Sequence, residues 1–375
     1  MTDPTERWWS SALGPHARVL VLAPHPDDET LGCGGLLARA VAHGAAVRVL
    51  VVTDGENNPW AQRAAERRWR VGEGDQTRWG ARRRDEAVAA VATLGIDPAA
   101  IRFLGFADKG LTALLLRGGG GLIEDLAAEI VDFAPTLVVA PDLGDRHPDH
   151  SALAVLLALA CECCAGRARF ACLAYLVHGK LGRGGRVQLS LDPATRGRKR
   201  HAIFAHASQL AALVRRIAPP PRRETFLPPR TRAGHPVRRA VVRGTTLRLE
   251  IAMPRPRLPL RTTWLHVVAD GDGPVTSWSL AVPAYGTRAT IEAGTAPGRR
   301  VGTASIRRTP SRAEVALPLR LFDGARRLFV KLERRGIFFD AVGWRIVPLN
   351  AQTGADVSQP YARASAGVVT PTALR

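Results

Sequence analysis

The sequence predicts an α/β protein with a mostly parallel sheet and helices on both of its faces, followed by a small, sandwich-like C-terminal antiparallel β domain. Three observations carry this. Short apolar runs alternate with helical stretches over the first half. The character changes after about residue 212 to a Pro-rich stretch and then to short alternating segments. The length, 375 residues, exceeds that of one average domain.

The elements follow in order. Residues 18–23, Arg-Val-Leu-Val-Leu-Ala, form a strand-type apolar run, and 31–43 have helical character. A second buried run covers 46–52. The Arg-rich stretch 61–94 reads as helix, broken at Val71-Gly-Glu-Gly74. Residues 101–104 are a third strand. A glycine run, 118–121, precedes a helix over 122–133. A fourth strand at 136–140, a helix at 149–164 and a fifth strand at 171–178 complete the series. Strands alternating with helices in this way argue for a parallel sheet covered on both faces.

The expected organisation is an N-terminal extension over 1–15, an α/β domain over 16–215, a Pro-rich linker over 216–235, a β domain over 236–350 and a tail over 351–375. The linker rests on Ala218-Pro-Pro-Pro-Arg-Arg and Leu227-Pro-Pro-Arg. The β domain rests on segments such as Thr246-Leu-Arg-Leu-Glu-Ile-Ala and Leu328-Phe-Val-Lys-Leu, separated by Gly, Pro, Asp and Thr.

The formal net charge is +20, and almost all the basic excess is Arg, with Lys only at 109, 180, 199 and 331. An Arg-, Ala- and Gly-rich composition is also what a GC-rich genome produces, which weakens the charge as a signal. A basic field favours anionic partners such as phosphorylated sugars, acidic lipid headgroups or nucleic acid, and the expected partner is a small-molecule or glycan substrate of anionic character. No nucleic-acid recognition motif accompanies it, so no dedicated nucleic-acid partner is expected. No apolar run is long enough to span a bilayer. Residues 1–15 lack the basic and apolar regions of a signal peptide, so the expected setting is cytoplasmic. The five cysteines lack metal-type spacing and are expected to be reduced and mostly buried.

The chemistry concentrates in Ala23-Pro-His-Pro-Asp-Asp-Glu-Thr-Leu-Gly32, where the first strand ends. One His and three consecutive acids crowd a turn before a helix. Packing does not ask for this, because the acids repel unless a cation or a helix N-terminus offsets them. His25 and Asp28 lie three apart, so a tight turn can aim both at one borderline metal such as zinc, and Asp27 between them can face its bound water. Asp145-Arg-His-Pro-Asp-His150 repeats the pattern after the fourth strand. One His of that pair would complete a three-ligand set with an open position. Both segments sit at carboxyl ends of strands, where doubly wound sheets bind ligands.

Pro24-His-Pro-Asp-Asp-Glu29, Gly32-Cys-Gly-Gly35 and His147-Pro-Asp-His150 resemble the PIG-L/LmbE-like deacetylase family. Arg83-Arg-Asp-Glu86, Leu94-Gly, Phe103-Leu-Gly-Phe-Ala-Asp-Lys-Gly110 and His206-Ala-Ser-Gln209 extend the likeness, which covers residues 16–212. The resemblance implies a Rossmann-like fold and zinc-dependent removal of acetyl from an N-acetylglucosaminyl-type sugar. It implies zinc, or alternatively ferrous iron, on His25, Asp28 and His150. Asp27 would be the general base, and His147 would stabilise the oxyanion or protonate the leaving amine. Asp149 would orient that imidazole, and Arg83 and Asp108 would line the sugar pocket.

Two positions depart from the family. Asp145 stands where thiol-pathway members can carry Tyr, and Arg200 or Lys199 stands for a family Lys. His178, His201 and His206 are read as surface, packing or helix-end residues, and Glu29 as a helix-start acid. Two other functions stay open: a zinc amidohydrolase acting on a non-sugar N-acyl group, and a carbohydrate-binding protein using Trp264, Trp278 and Trp344 of the β domain. Core positions are the better reading of those tryptophans.

Overall fold

The computed structural model describes residues 4–181, 185–213, 220–228, 235–253, 262–283, 286–309, 311–334 and 339–349. Five parallel strands form the first sheet: β1 (Arg18–Ala23), β2 (Ala46–Thr53), β3 (Ile101–Phe106), β4 (Leu137–Pro141) and β5 (Ala171–Tyr175). Their spatial order is β3-β2-β1-β4-β5. The chain steps outward from β1 to β3, then crosses back to β4, so the order reverses between β1 and β4 and opens a crevice at their carboxyl ends.

Alternate residues of the central strands feed two cores. Val19, Val21, Val49 and Val51 pack with Leu36, Leu37, Ala90 and Val91 of α2 (Asp28–Ala42) and α4 (Glu73–Thr93). Leu20, Leu22, Leu50 and Val138 pack on the other face with α5 (Leu111–Leu116), α6 (Gly120–Phe133) and α7 (Pro148–Cys163). Burial on both faces explains why these strands read as near-continuous apolar runs. The Arg-rich stretch splits into α3 (Pro59–Glu66) and α4, as the glycines at 72 and 74 suggest. Helix α5 was not expected from the sequence.

The structure differs from the sequence expectation at both ends of this layer. Residues 4–12 form helix α1, and Trp9 within it is fully buried against Phe226, its Nε1 donating to the Gln188 carbonyl at 2.8 Å. The segment expected as linker contains a strand, β7 (Arg223–Phe226), paired antiparallel with β6 (Val187–Ser190). Between these two strands lie α8 (Pro193–Ala205) and α9 (Ala207–Leu213). Glu224 of β7 is buried, and its carboxylate accepts from Gly35 N at 2.6 Å, Leu36 N at 2.7 Å and Lys199 Nζ at 2.5 Å. Lys199 Nζ also donates to the Leu31 carbonyl at 2.9 Å. The glycines of α2 make this approach possible: a Cβ on Gly35 would lie 2.9 Å from Glu224 Cδ, and one on Gly32 would lie 2.5 Å from the Tyr175 ring.

The C-terminal half is one antiparallel sheet of nine strands rather than two stacked sheets. In sequence these are β8 (Val237–Arg243), β9 (Thr246–Ala252), β10 (Thr263–Gly271), β11 (Thr276–Val282), β12 (Arg288–Ala293), β13 (Arg300–Thr309), β14 (Arg312–Pro318), β15 (Ala325–Arg334) and β16 (Arg345–Pro348). Their order is β16-β15-β10-β11-β12-β13-β14-β9-β8. Register shifts at Asp270/Gly271, Ile291/Glu292 and Val237/Arg239 bend the strands. The sheet thereby curls into a near-barrel around Leu249, Val267, Leu280, Val315 and Val330. Its two ends meet where Arg345 Nη1 donates to the Val237 carbonyl at 2.5 Å. Trp278 and Trp344 are buried and Trp264 is half-buried.

The outer face of β10, β15 and β16 covers α7 through Val268, Phe329 and Ile346, with Trp344 beside them. Helix α7 is consequently buried on every side from Asp149 to Cys161, as its all-round apolar sequence requires. All five cysteines are unpaired. Among the described residues no helix is long and apolar enough to cross a membrane. The expected tail, 351–375, lies outside the described residues.

Candidate active site

The two acid- and His-bearing segments meet at the carboxyl ends of β1 and β4. The first bends sharply after β1. Asp27 has a backbone φ of 135°, a conformation that costs a residue with a side chain about 1–3 kcal/mol and tends to mark functional positions. Its N–H donates to Glu29 Oε2 at 2.9 Å, and its carbonyl accepts from Thr30 and Leu31 at the start of α2.

Asp28 joins the two segments. Its Oδ2 lies 3.0 Å from His25 Nδ1 and 3.0 Å from His150 Nε2, and it also accepts from His25 N at 3.1 Å. His150 stands in the first turn of α7. Its other ring nitrogen, Nδ1, lies 3.3 Å from Asp145 Oδ2. His147 caps α7, its Nδ1 accepting from Asp149 N at 3.3 Å. That bond fixes the neutral imidazole with its proton on Nε2.

The geometry fits a cation. Ligand atoms about 2.0–2.1 Å from a tetrahedral zinc lie about 3.3 Å from each other, close to the spacing between Asp28 Oδ2 and both rings. Both ring nitrogens of His150 are buried and lack a hydrogen bond. Each faces a carboxylate at ion-pair distance, Nε2 toward Asp28 and Nδ1 toward Asp145, without the alignment of a hydrogen bond, which is unusual for buried polar atoms. Ligand atoms of His25, His147 and His150 lie within 4.8 Å of one another, as do those of Asp28, His150 and His178 and those of His25, Asp108 and Asp149. A His/Asp cluster able to hold a metal ion therefore sits at the topological switch point.

Electrostatics agree. Burial opposes charge on His150, but Asp28 and Asp145 raise it to about 9. Burial likewise opposes charge on His25, which Asp108, Asp149 and Asp28 push well above its usual value. Asp28 is held well below the usual carboxylate range against its burial, chiefly by His150 and His25. The carboxylates thus favour positive charge at this point. His147 is pushed down by burial and by His25, His150 and His178, and stays neutral. Burial raises Asp27 to about 6, with Arg83 pulling it back and Asp28 and Glu29 adding to the rise.

Several expected residues arrive with partners of their own. Asp149 does not meet the His147 ring with its carboxylate. It accepts from Lys109 N at 2.7 Å and Leu111 N at 3.1 Å and lies 3.4 Å from His25 Nε2, because the loop leading into α5 brings its backbone N–H groups alongside. Asp108 lies 3.1 Å from His25 Nε2 and accepts from Asn57 N at 3.0 Å. Arg83 is buried. Its guanidinium donates to the carbonyls of Gly55 and Pro26, both at 2.8 Å, and lies 3.5 Å from Asp27 Oδ2. It thereby ties the β1 and β2 loops together. Gly55 is obligatory there, with φ 63° and an added Cβ falling 1.9 Å from Arg83 Nη1.

Other site residues escaped the sequence reading. Asp145 braces the second segment, accepting from His147 N at 2.9 Å and from Val177 N and His178 N at 3.1 Å each. Its place two residues before His147 was the available signal, since metal-type His residues usually lean on a carboxylate. His178, expected as a surface or packing residue, has its ring centre 4.9 Å from that of His150 and 5.3 Å from that of His147. His206 is buried and contacts Glu29 at 3.1 Å, and Ser208 Oγ donates to Glu86 at 2.6 Å. These bonds join the His-Ala-Ser-Gln segment to α2 and α4.

Residues 20–161 match the PIG-L family, described as GlcNAc-PI de-N-acetylase. They form a PIG-L domain. Among similar proteins, the 1D-myo-inositol 2-acetamido-2-deoxy-alpha-D-glucopyranoside deacetylase of Mycolicibacterium vanbaalenii is 38% identical over 153 residues, 36% of this chain and 50% of that protein. Its counterpart in Rhodococcus opacus is 35% identical over 173 residues, 41% of this chain and 56% of that protein. The chain spans about half the length of the curated relatives it matches. Among solved structures, a conserved protein of Thermus thermophilus is 29% identical with a TM-score of 0.40, covering 52% of this chain and 81% of that one. The zinc-inhibited form of teicoplanin deacetylase Orf2 is 24% identical with a TM-score of 0.42, covering 52% and 86%. The PIG-L match begins inside β1 and ends within α7, so it contains both halves of the His/Asp cluster.

Proposed function

We propose that this chain is a zinc-dependent amidohydrolase that removes the acetyl group from an N-acetylglucosaminyl-type amino sugar. The observation that carries the reading is Asp28 Oδ2 standing 3.0 Å from the rings of both His25 and His150 inside the PIG-L domain. The deacetylase activity named for the curated relatives supports it.

His25, Asp28 and His150 would hold the metal. Zinc there would supply Lewis acidity toward the acetyl carbonyl and toward a water molecule. Asp27 takes the proton of the attacking water, a role suited to a carboxyl raised to about 6. Arg83 keeps Asp27 in place through Pro26 and Gly55. His147 donates from Nε2 to the oxyanion as the carbonyl becomes tetrahedral, which its neutral state and backbone-fixed tautomer favour. Asp27 then returns the proton to the departing amine. Asp149 acts on His25 rather than on His147, and Asp145 orients His150. Asp108 would line the sugar pocket beside His25. A cytoplasmic setting is part of the reading, supported by five unpaired cysteines.

The test is acetate release from N-acetylglucosamine and its glycosides by metal-stripped protein, with zinc or, anaerobically, ferrous iron added back. Asp27→Asn should keep its metal by elemental analysis and lose about 10²–10⁴-fold in turnover. Wild-type turnover in that variant would remove Asp27 as the base. Iron restoring more activity than zinc would reassign the metal.

A further inference from the structure

A cavity of about 230 Å³ opens between the loop after β4 and the ends of β9, β10 and β15. Its wall includes Arg146, Met253, Leu332, Arg334, Phe339 and Asp340. The proposed chemistry uses none of these residues, yet the cavity adjoins the site. The ring centre of Phe339 lies 5.1 Å from that of His178 and 5.9 Å from that of His147.

The cavity is pre-formed. Asp340 N donates to the Arg146 carbonyl and Trp344 N to the Leu143 carbonyl, both at 2.8 Å, and Arg146 Nε donates to the Asp340 carbonyl at 2.9 Å. These bonds fix the C-terminal segment to the loop that carries His147. The wall also has a definite charge. The Asp340 carboxylate is matched by buried Lys331 at 2.7 Å, which leaves Arg146 and Arg334 as a net positive pair on a wall otherwise built from Met253, Leu332 and Phe339. A cavity of about 150 Å³ holds a benzene ring, so this one has room for a ring with a polar substituent.

We propose that this cavity binds the aglycone of the substrate, an apolar group bearing an anionic substituent that Arg146 and Arg334 receive. The proposal rests on the deacetylase reading of the neighbouring site. It assigns to the C-terminal sheet the choice among N-acetylglucosaminides, because binding energy from a remote group can be spent at the reacting centre.

Two readouts on the full chain separate the proposal from the reading beneath it. The first is calorimetric binding of phenyl phosphate to the wild type, Arg334→Glu and Met253→Trp. Each variant should weaken binding about tenfold or more, the worth of one charge-assisted hydrogen bond or of the filled space. The second is kcat/KM for 4-carboxyphenyl N-acetylglucosaminide against N-acetylglucosamine. The aryl glycoside should be preferred about tenfold by the wild type, and Arg334→Glu should erase the preference while leaving N-acetylglucosamine turnover within about twofold. Binding that depends on Arg334 without acetate release from either sugar would uphold the cavity and overturn the deacetylase reading. Absence of phenyl phosphate binding, or equal kcat/KM for the two sugars, would overturn the cavity's role.

Discussion

Replacing Glu224 with Leu should unfold the PIG-L domain more readily than the loss of any one exposed ion pair would. The carboxylate of Glu224 holds two backbone N–H groups of α2 and the ammonium of Lys199, and both side chains are nearly inaccessible, at 3–4%. Leucine keeps the approximate volume but leaves the ammonium buried with only the Leu31 carbonyl for company. Breaking a buried pair from one side costs about 3–5 kcal/mol. For a domain of this size that corresponds to a fall of about 6–20 °C in Tm. Removing both charges, with Lys199→Met and Glu224→Leu together, should recover about 2–3 kcal/mol of the loss, since the remaining defect is two weakened N–H partners. Urea titrations followed by circular dichroism on the wild type, the two single variants and the double variant give the cycle. A Glu224→Leu cost below about 1 kcal/mol, or a double variant no more stable than the single, would refute the argument that β7 anchors α2 through this pair.

Asp145→Asn should lower metal affinity about 10–100-fold, read by chelator competition, because it weakens the partner of His150 Nδ1; unchanged affinity would remove Asp145 from the support of that ring. Gly343→Ala should destabilise the fold and loosen metal binding together. The added Cβ would lie 2.0 Å from the Leu143 carbonyl oxygen and 2.9 Å from that of Asp145, and full stability with native affinity would show that the two segments are not locked. His235 predicts a pH effect. Its Nδ1 accepts from Val237 N, its Nε2 donates to the Gly343 carbonyl, and burial pushes the imidazole down to about 4. The unfolded chain takes up this proton near pH 6.5 and the folded chain near 4. The stability tied to His235 is therefore present above pH 6.5 and lost as the pH falls toward 4, by about 3 kcal/mol. His235→Gln should flatten that slope, and a wild-type slope in the variant would assign the effect elsewhere.

The first sheet and the heart of the site were legible because the residues that specify them are local. Runs such as Arg18–Ala23 must be buried on both faces, and the acids beside His25 make no sense to packing. What escaped depends on partners far away in sequence. Residues 223–226 sit among prolines and look like linker; only pairing with residues 187–190 makes them a strand. Alternation along residues 246–252 told which side faces a core, but not that nine strands would curl into one sheet. The carboxylate of Asp149 was expected on the nearest imidazole in sequence, whereas the loop before α5 draws it to His25. His178 gave no sign, because its neighbours His147 and His150 belong to another strand-to-helix connection.

Helix α7 carries a consequence for anyone who would divide this chain. Its first turn bears His147 and His150, one side belongs to the parallel sheet, and the other is roofed by Val268, Phe329 and Ile346. Cutting near residue 230 would uncover that side along the helix and turn it into a sticky surface. It would also remove the segment clasped to the loop at residues 143–146. The stretch that carries the family's motifs is therefore not a portable module, and expression of the N-terminal half alone should yield aggregate rather than a smaller folded protein.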